Sequence, residues 1–451
     1  MKKEIFKAYD IRGIYPSEIN ELDVYKIAQA YCDFVKPKEV VIGADVRLSS
    51  PSLKKTAIKA VTDLGIKVID VGEISTDMLY FSVANYGYGG GFSLTASHNP
   101  KEYNGLKMVR EESKPISADT GIYQIRDMAF GKEISEDVLK GDANESLIEK
   151  KDILDDYAEK IKTFADFSKF KNFKIVANPN FGVGGRAVDE ILQGLGLDIV
   201  KLNWESDGNF PKGRPDPLIP ENRDEISNLV VSEKADFGVA WDADADRCFF
   251  FTEKGEFIEG YFITALLAKI FLEKNAGASV IRDTRLTWAI DDMVENNGGK
   301  VIPSKAGHAF IKERMRKEDS IFGGEMSAHY YFRDFFYCDN GMIPLVMMLE
   351  FLSKQDKTLS EVMNELFWQK YFVSGEINTK VDSVSAILEK AKEKYADGEI
   401  DETDGISMEF SDWRFNLRGS NTEPLIRLNV EAKSKGLMEE KTKELLEMIK
   451  E

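Results

Sequence analysis

One pattern occurs three times in this chain and constrains its fold more than any other feature. An apolar, β-rich run leads through a polar or glycine-rich loop into an amphipathic helix, then a glycine, then a second apolar run. The first copy is Val40-Val41-Ile42-Gly43, a loop from Ala44 to Ser52, a helix to about Leu64, Gly65, and the run Ile66 to Val71. The second is Lys174-Ile175-Val176-Ala177, the loop Phe181-Gly182-Val183-Gly184-Gly185, a helix to Leu195, Gly196, and Leu197 to Leu202. The third is Ser279-Val280-Ile281, a short loop through Arg285, a helix to about Asn297, Gly298-Gly299, and Val301-Ile302. Strands alternating with helices of this length predict β-α-β units in a largely parallel sheet. The copies are too widely spaced for a solenoid and read as separate domains.

The last part of the chain reads differently. Ser383 to Tyr395 predicts a helix, Gly405 to Phe410 and Trp413 to Leu417 two antiparallel strands turning near Asp412, Leu425 to Glu431 a further strand, and Gly436 to Glu451 a charged closing helix. Strands flanked by helices in this way suggest a small α+β domain. The charged run Glu145 to Lys162 predicts a helix crossing from the first domain to the second. The expected organisation is therefore α/β: three similar α/β domains (β-α-β, mixed sheet) over 1–150, 151–254 and 255–369, with a smaller α+β domain over 370–451.

The bulk properties exclude several classes. A formal charge of −18 argues against nucleic acid or an anionic membrane as partner. Cys32, Cys248 and Cys338 show no metal-type spacing and leave one thiol over in any disulfide scheme, so a reducing compartment is expected. The start, Met1-Lys2-Lys3-Glu4-Ile5-Phe6, lacks the apolar core of a signal peptide, and apolar stretches are broken by acids before membrane-spanning length. A cytoplasmic protein, monomer or homodimer, is the expectation.

Two segments point to chemistry. Gly91-Phe92-Ser93-Leu94 reads as a buried strand that delivers Thr95-Ala96-Ser97-His98-Asn99-Pro100 at its end. Ser97, presented there with an imidazole beside it, could carry a covalent group, although Ser and Asn before Pro are also ordinary turn chemistry. Asp242-Ala243-Asp244-Ala245-Asp246-Arg247 lies between the apolar runs Phe237 to Trp241 and Cys248 to Phe251. On a strand the three carboxylates would share a face and in a turn they would converge. Either way they gather the hard oxygen ligands that Mg²⁺ prefers, at a strand end where α/β proteins hold ligands. Arg247 offsets part of their charge.

Arg418-Gly419-Ser420-Asn421-Thr422-Glu423-Pro424 collects a guanidinium, hydroxyls, an amide and backbone N–H groups suited to a phosphate dianion. His98, His308 and His329 all lie in loops rich in Gly, Ser and charge, which suits proton transfer or phosphate contact. Arg12, Arg47, Lys107 and Arg285 sit near predicted strand ends, and each taken alone reads as a surface residue. The loop Gly182-Val183-Gly184-Gly185 lacks a full dinucleotide fingerprint and reads as the start of a helix.

With these segments in view, Tyr9-Asp10-Ile11-Arg12-Gly13, Thr95 to Pro100, Asp242 to Arg247, Gly324-Glu325-Met326-Ser327 with His329, and Arg418 to Pro424 resemble the α-D-phosphohexomutase family, in the family's order and over almost the whole chain. The resemblance implies four domains around a central cleft, the fourth closing on substrate. It implies Ser97 as phosphoserine, Mg²⁺ held by Asp242, Asp244, Asp246 and an oxygen of the Ser97 phosphate, and Glu325 and Ser327 on sugar hydroxyls. Arg418, Ser420, Asn421 and Thr422 would hold the phosphate not being transferred, with Arg12, His98, Lys107, Arg247, His308 and His329 lining the cleft. Arg285 stands where some relatives use Lys, and Ala243 and Ala328 stand where many have Gly, changes expected to cost little room.

Gly324 to His329, Phe332 to Phe335 and Gly307 to Arg314 look most like the bacterial mannose-specific branch that supplies GDP-mannose for surface polysaccharide. The implied activity is interconversion of mannose 6-phosphate and mannose 1-phosphate through a hexose 1,6-bisphosphate, which would also prime the unphosphorylated enzyme. Lys107 or His308 would exchange the proton of the attacking hydroxyl. A preference for glucose phosphates, or for both sugars, stays open because no residue reads the C2 hydroxyl. A metal-dependent phosphatase, a sugar-nucleotide transferase and a non-catalytic sugar-phosphate sensor are the remaining alternatives.

Overall fold

The computed structural model describes residues 1–419 and 425–450. The chain forms two compact units, Met1–Phe257 with Tyr330–Asp356, and Ile258–His329 with Lys357–Glu451.

All three repeats fold as β-α-β. In the first, strand Glu39–Ala44, helix Ser50–Thr62 and strand Lys67–Glu73 follow in order, and the strands pair in parallel. The second is Lys174–Asn178, Gly184–Leu192 and Asp198–Lys201, again parallel. The third is Ser279–Arg282, Trp288–Asn296 and Lys300–Pro303, with Phe322–Gly324 parallel on the other side of Ser279–Arg282. The crossover helices bury the faces that the apolar periodicity marks out. On Ser50–Thr62, for example, Leu53, Ala57, Ala60 and Val61 are fully buried.

The first unit carries two mixed sheets. One runs Ile11–Ile14, Tyr103–Arg110, Gly90–Leu94, Glu39–Ala44, Lys67–Glu73, Ile148–Lys150. Its first two strands are antiparallel additions. Val40, Ile42, Phe92, Leu94 and Leu106 form its core with Ile27, Tyr31 and Val61 from the covering helices. In the other sheet Phe237–Trp241 pairs in parallel with Lys174–Asn178 and antiparallel with Cys248–Thr252. The connection between those last two strands is residues 242–247. The aspartates therefore sit in a tight hairpin loop and converge, the turn geometry rather than the strand one.

The predicted helix from Glu145 to Lys162 is corrected. Ile148–Lys150 is a strand, parallel to Lys67–Glu73 at a sheet edge, and the helix spans only Leu154–Lys162. Val68 opposite Ile148 offers the backbone a ladder that the charge pattern conceals, and the Leu154 N–H at the head of the helix donates to Asp152 at 3.1 Å.

In the second unit the C-terminal part is an antiparallel sheet. Trp413–Gly419 lies between Ile406–Glu409 and Leu425–Ala432, and Ile377–Lys380 also pairs with the last of these. Helices Val384–Lys394 and Lys435–Lys450 cover it, and Phe415, Leu417, Ile426, Leu428, Val430, Leu445 and Met448 form the core. No helix of the described residues is long and apolar enough to cross a membrane.

Candidate active site

In the first unit, the loop after strand Gly90–Leu94 holds Ser97 in a left-handed conformation, φ 51°, which is costly for a residue with a Cβ. The surroundings explain how it persists. The Ser97 N–H donates to Thr95 Oγ1 at 2.9 Å, and that hydroxyl donates to Asp45 at 2.7 Å. Beneath the loop lies Arg47, with no exposed surface. Its guanidinium donates to the carbonyls of Ser97 (2.6 Å), Asn99 (2.7 Å), Pro100 (2.7 Å) and Tyr103 (3.0 Å), and pairs with Asp45 at 3.1 Å. One buried cation thus fixes the whole turn. Arg47 is no surface residue, contrary to the sequence expectation.

Ser97 Oγ lies 3.1 Å from Asp242 Oδ2 and 3.0 Å from His98 Nδ1. Ligand atoms of Asp242, Asp244 and Asp246 lie within 4.8 Å of one another, and all three residues are buried. Asp244 Oδ1 is buried and accepts no hydrogen bond among the described residues. Three converging carboxylates with an uncommitted oxygen fit a hard divalent cation.

Lys107 supplies the balancing charge. Its Nζ donates to Asp244 Oδ2 at 2.9 Å and also pairs with Asp246. Burial alone would depress this ammonium, but Asp244, Asp246 and Asp10 outweigh it and hold Lys107 well above the usual range, hence charged. Burial pushes the Asp242 carboxyl up to about 7, against the pull of Arg247, which donates to it at 2.8 Å. His98 keeps 24% of its side chain accessible. Desolvation by the surrounding loops, then Arg247, Arg12 and Arg214, still hold it well below the usual range, as a neutral imidazole. Arg12 donates to Asp10 at 2.6 Å and to Asn99 Oδ1 at 2.8 Å. Arg247 also pairs with Asp216 at 3.3 Å, while its Nη2 is buried with no hydrogen-bond partner among the described residues.

The aspartate loop is positioned by close backbone packing. A Cβ on Gly182 would overlap the Ala243 carbonyl, and one on Gly341 would overlap that of Ala245. Val183 N–H donates to the Ala243 carbonyl at 3.0 Å. The Gly182 loop therefore supports the carboxylates.

The second unit assembles a different group. Arg285 chelates Asp283 through Nη2 at 2.6 Å and Nε at 3.0 Å, and reaches Glu325 and Ser327 at 3.5 Å. Glu325 accepts from the Gly307 N–H at 2.8 Å. His329 Nδ1 lies 3.2 Å from Ser327 Oγ and 3.6 Å from Glu325. His308 opens helix His308–Glu318, with Lys312 Nζ 3.3 Å from its Nδ1. Arg418, at the end of strand Trp413–Gly419, pairs with Glu376 at 3.2 Å.

The four segments of the chain match known domains. Residues 3–133 match the phosphoglucomutase/phosphomannomutase alpha/beta/alpha domain I, 155–255 domain II, 259–371 domain III and 376–448 the C-terminal domain. A phosphomannomutase of Escherichia coli is 45% identical over the full length of both chains. The chain belongs to the phosphoglucomutase/phosphomannomutase family. A Vibrio cholerae phosphomannomutase is 47% identical, over 99% of this chain and 98% of its own. A crystal structure of a phosphoglucomutase/phosphomannomutase family protein from Burkholderia thailandensis superposes with a TM-score of 0.87 at 29% identity, covering 100% of this chain and 98% of that one.

Seen within the phosphoglucomutase/phosphomannomutase family, the structure brings Ser97, His98, Lys107, Arg12, Arg247, Asp242, Asp244 and Asp246 together in one unit. It gathers Arg285, Glu325, Ser327 and His329 in the other, with His308 and Arg418 in that same unit. Ser420, Asn421 and Thr422 lie outside the described residues. Ala328 has φ 66°, so its cost relative to a glycine is backbone strain rather than room. Arg47, Asp45, Asp283 and Glu376 were not singled out as site residues from the sequence. An Asp directly after the last residue of a strand, with an Arg two residues later, occurs as Asp45-x-Arg47 and Asp283-x-Arg285, and that recurrence was the available signal.

Proposed function

We propose that the chain is a phosphomannomutase, which interconverts mannose 6-phosphate and mannose 1-phosphate through phosphorylated Ser97 and a hexose 1,6-bisphosphate. The observation that carries the reading is the 3.1 Å approach of Ser97 Oγ to Asp242 within a cluster of three buried aspartates. The relatives named phosphomannomutase, matched over the full chain, support mannose as the sugar.

In the forward step a sugar hydroxyl oxygen bonds to the phosphorus of phospho-Ser97 as the Ser97 Oγ–phosphorus bond breaks. The hydroxyl proton passes by way of a base to the departing Ser97 Oγ, which becomes a hydroxyl again, and the bisphosphate then turns end for end and returns its other phosphoryl group to Ser97. Phosphoryl transfer asks the protein mainly for positioning and charge stabilisation. Arg47 fixes the serine, and Arg247 and Lys107 supply cations. Lys107 or His308 would exchange the proton of the attacking hydroxyl. His98 orients Ser97 Oγ, Arg12 and His329 line the sugar site, Glu325 and Ser327 bind sugar hydroxyls, and Arg285, Arg418, Ser420, Asn421 and Thr422 receive the phosphate that stays.

Asp242, Asp244, Asp246 and a Ser97 phosphate oxygen would hold Mg²⁺, whose role is to neutralise charge on the transferring group. Hexose 1,6-bisphosphate would prime the enzyme. Three buried free cysteines fit a reducing cytoplasm, where the mannose 1-phosphate formed would feed GDP-mannose synthesis. Coupled assays on mannose 1-phosphate and glucose 1-phosphate test the reading. Turnover on mannose 1-phosphate that is lost in Ser97→Ala supports it. Equal or faster turnover on glucose 1-phosphate overturns the sugar assignment, and release of inorganic phosphate without interconversion overturns the reaction.

A further inference from the structure

In the second unit three guanidinium groups converge on one carboxylate. Arg418 and Arg427 are register partners on adjacent antiparallel strands, so two like charges share a sheet face, an arrangement that is unfavourable by itself. Glu376, just ahead of strand Ile377–Lys380, lies between them. Its Oε2 accepts from Arg418 Nη2 at 3.2 Å and lies 3.6 Å from Arg285 Nη1, while its Oε1 lies 3.3 Å from Arg427 Nη1. Burial pushes this carboxyl up, but Arg285, Arg418 and Arg427 outweigh it and hold Glu376 below the usual range. Arg418 Nε is buried and has no hydrogen-bond partner among the described residues, a donor that a further acceptor could take.

Guanidinium forks are the strongest side-chain partners of phosphate. The cluster is already partly satisfied without one: Asp283 chelates Arg285, Asp404 lies 3.8 Å from Arg418, and Glu376 touches all three cations. An arriving phosphate must take guanidinium N–H groups that Glu376 now holds.

We propose that Glu376 is a resident anion of this cluster, which occupies its arginines between substrates and competes with the substrate's stationary phosphate. The inference rests on the assignment of Arg418 and Arg285 to that phosphate under the proposed function. In one catalytic cycle both ends of the bisphosphate visit the cluster in turn, so each phosphate must leave as readily as it binds. Without Glu376, the guanidinium N–H groups it now occupies would stay on the phosphate and slow its release. Glu376 replaces the departing anion, keeps Arg418 and Arg427 from repelling one another, and weakens ground-state binding that does nothing for the transition state.

Calorimetric titration of the full chain with inorganic phosphate tests this in wild type, Glu376→Gln and Glu376→Asp. The amide should tighten phosphate binding about tenfold. With mannose 1-phosphate it should lower KM and kcat together, because release slows as binding tightens. The shorter carboxylate of Glu376→Asp should fall between, and decides the matter if the amide variant does not fold. Phosphate binding that is unchanged or weaker in the variants overturns the proposal and makes Glu376 a structural brace only. A wild type that interconverts neither hexose phosphate defeats the functional reading, while the phosphate titrations still judge Glu376.

Discussion

Arg47 donates to the Ser97 carbonyl at 2.6 Å from a position without solvent contact, and so ties the proposed nucleophile to the centre of its sheet. Replacing it leaves Asp45 as a buried, uncompensated carboxylate and four loop carbonyls without their donor. Arg47→Met should lower unfolding free energy by about 3–5 kcal/mol in urea titrations. Arg47→Lys keeps the charge but not the fork, so it should recover much of the stability while phosphorylation of Ser97 stays slowed by about a hundredfold, as expected for a misplaced reacting group. Equal recovery of both quantities would contradict a positioning role.

Under the proposed metal site, Lys107 and Mg²⁺ would compete for the charge of the same carboxylates, Asp244 and Asp246. In Lys107→Met, Asp244 and Asp246 lose their paired charge, and the metal-free protein should be destabilised by about 3 kcal/mol or more. Added Mg²⁺ should then raise Tm by more than it does in wild type, because the ion no longer displaces an ammonium. Differential scanning fluorimetry in chelator and in Mg²⁺ measures both effects. A smaller Mg²⁺ response than wild type would show that the carboxylates are not its ligands.

Ala328 pays for its left-handed backbone, φ 66°, with strain that glycine would not bear. Ala328→Gly should raise stability by about 0.5–1 kcal/mol, the relief of strain less the extra entropy of the unfolded glycine. Equilibrium denaturation checks the sign.

Asp283 carries a pH signature. Burial would raise its carboxyl, but Arg285 and the N–H groups of Met326 and Arg285 outweigh it and hold it below the usual range. A carboxylate depressed in the folded state stabilises fully above its unfolded pKa of about 3.9, and the contribution is lost as pH falls through the lower folded value. Wild type should therefore lose stability steeply below about pH 4, and Asp283→Asn should be less stable at neutral pH with a flatter profile in that acid range. Urea unfolding from neutral to acid pH distinguishes the two.

The β-α-β units were legible because each rests on local signals that agree: an apolar run, a loop, an amphipathic helix and a glycine stop. The Ser97 and Asp242 to Asp246 loops were legible because chemistry-bearing residues stood beside buried strands. Ile148–Lys150 was not, since a short edge strand with two charged residues owes its pairing to Lys67–Glu73, far away in sequence. Arg47 and Glu376 were missed for a related reason. A buried arginine looks like a surface one until its acceptors are known, and Glu376 gains its meaning only when Arg285, Arg418 and Arg427 fold around it.

The central claim is that Ser97 itself carries the phosphoryl group. Incubation with hexose 1,6-bisphosphate labelled in phosphorus, followed by intact-mass measurement and peptide mapping, tests it most directly. The account predicts a single phosphoryl group, on Ser97, which mannose 6-phosphate removes and Ser97→Ala lacks. Label on another residue, or undiminished interconversion by Ser97→Ala, would contradict it.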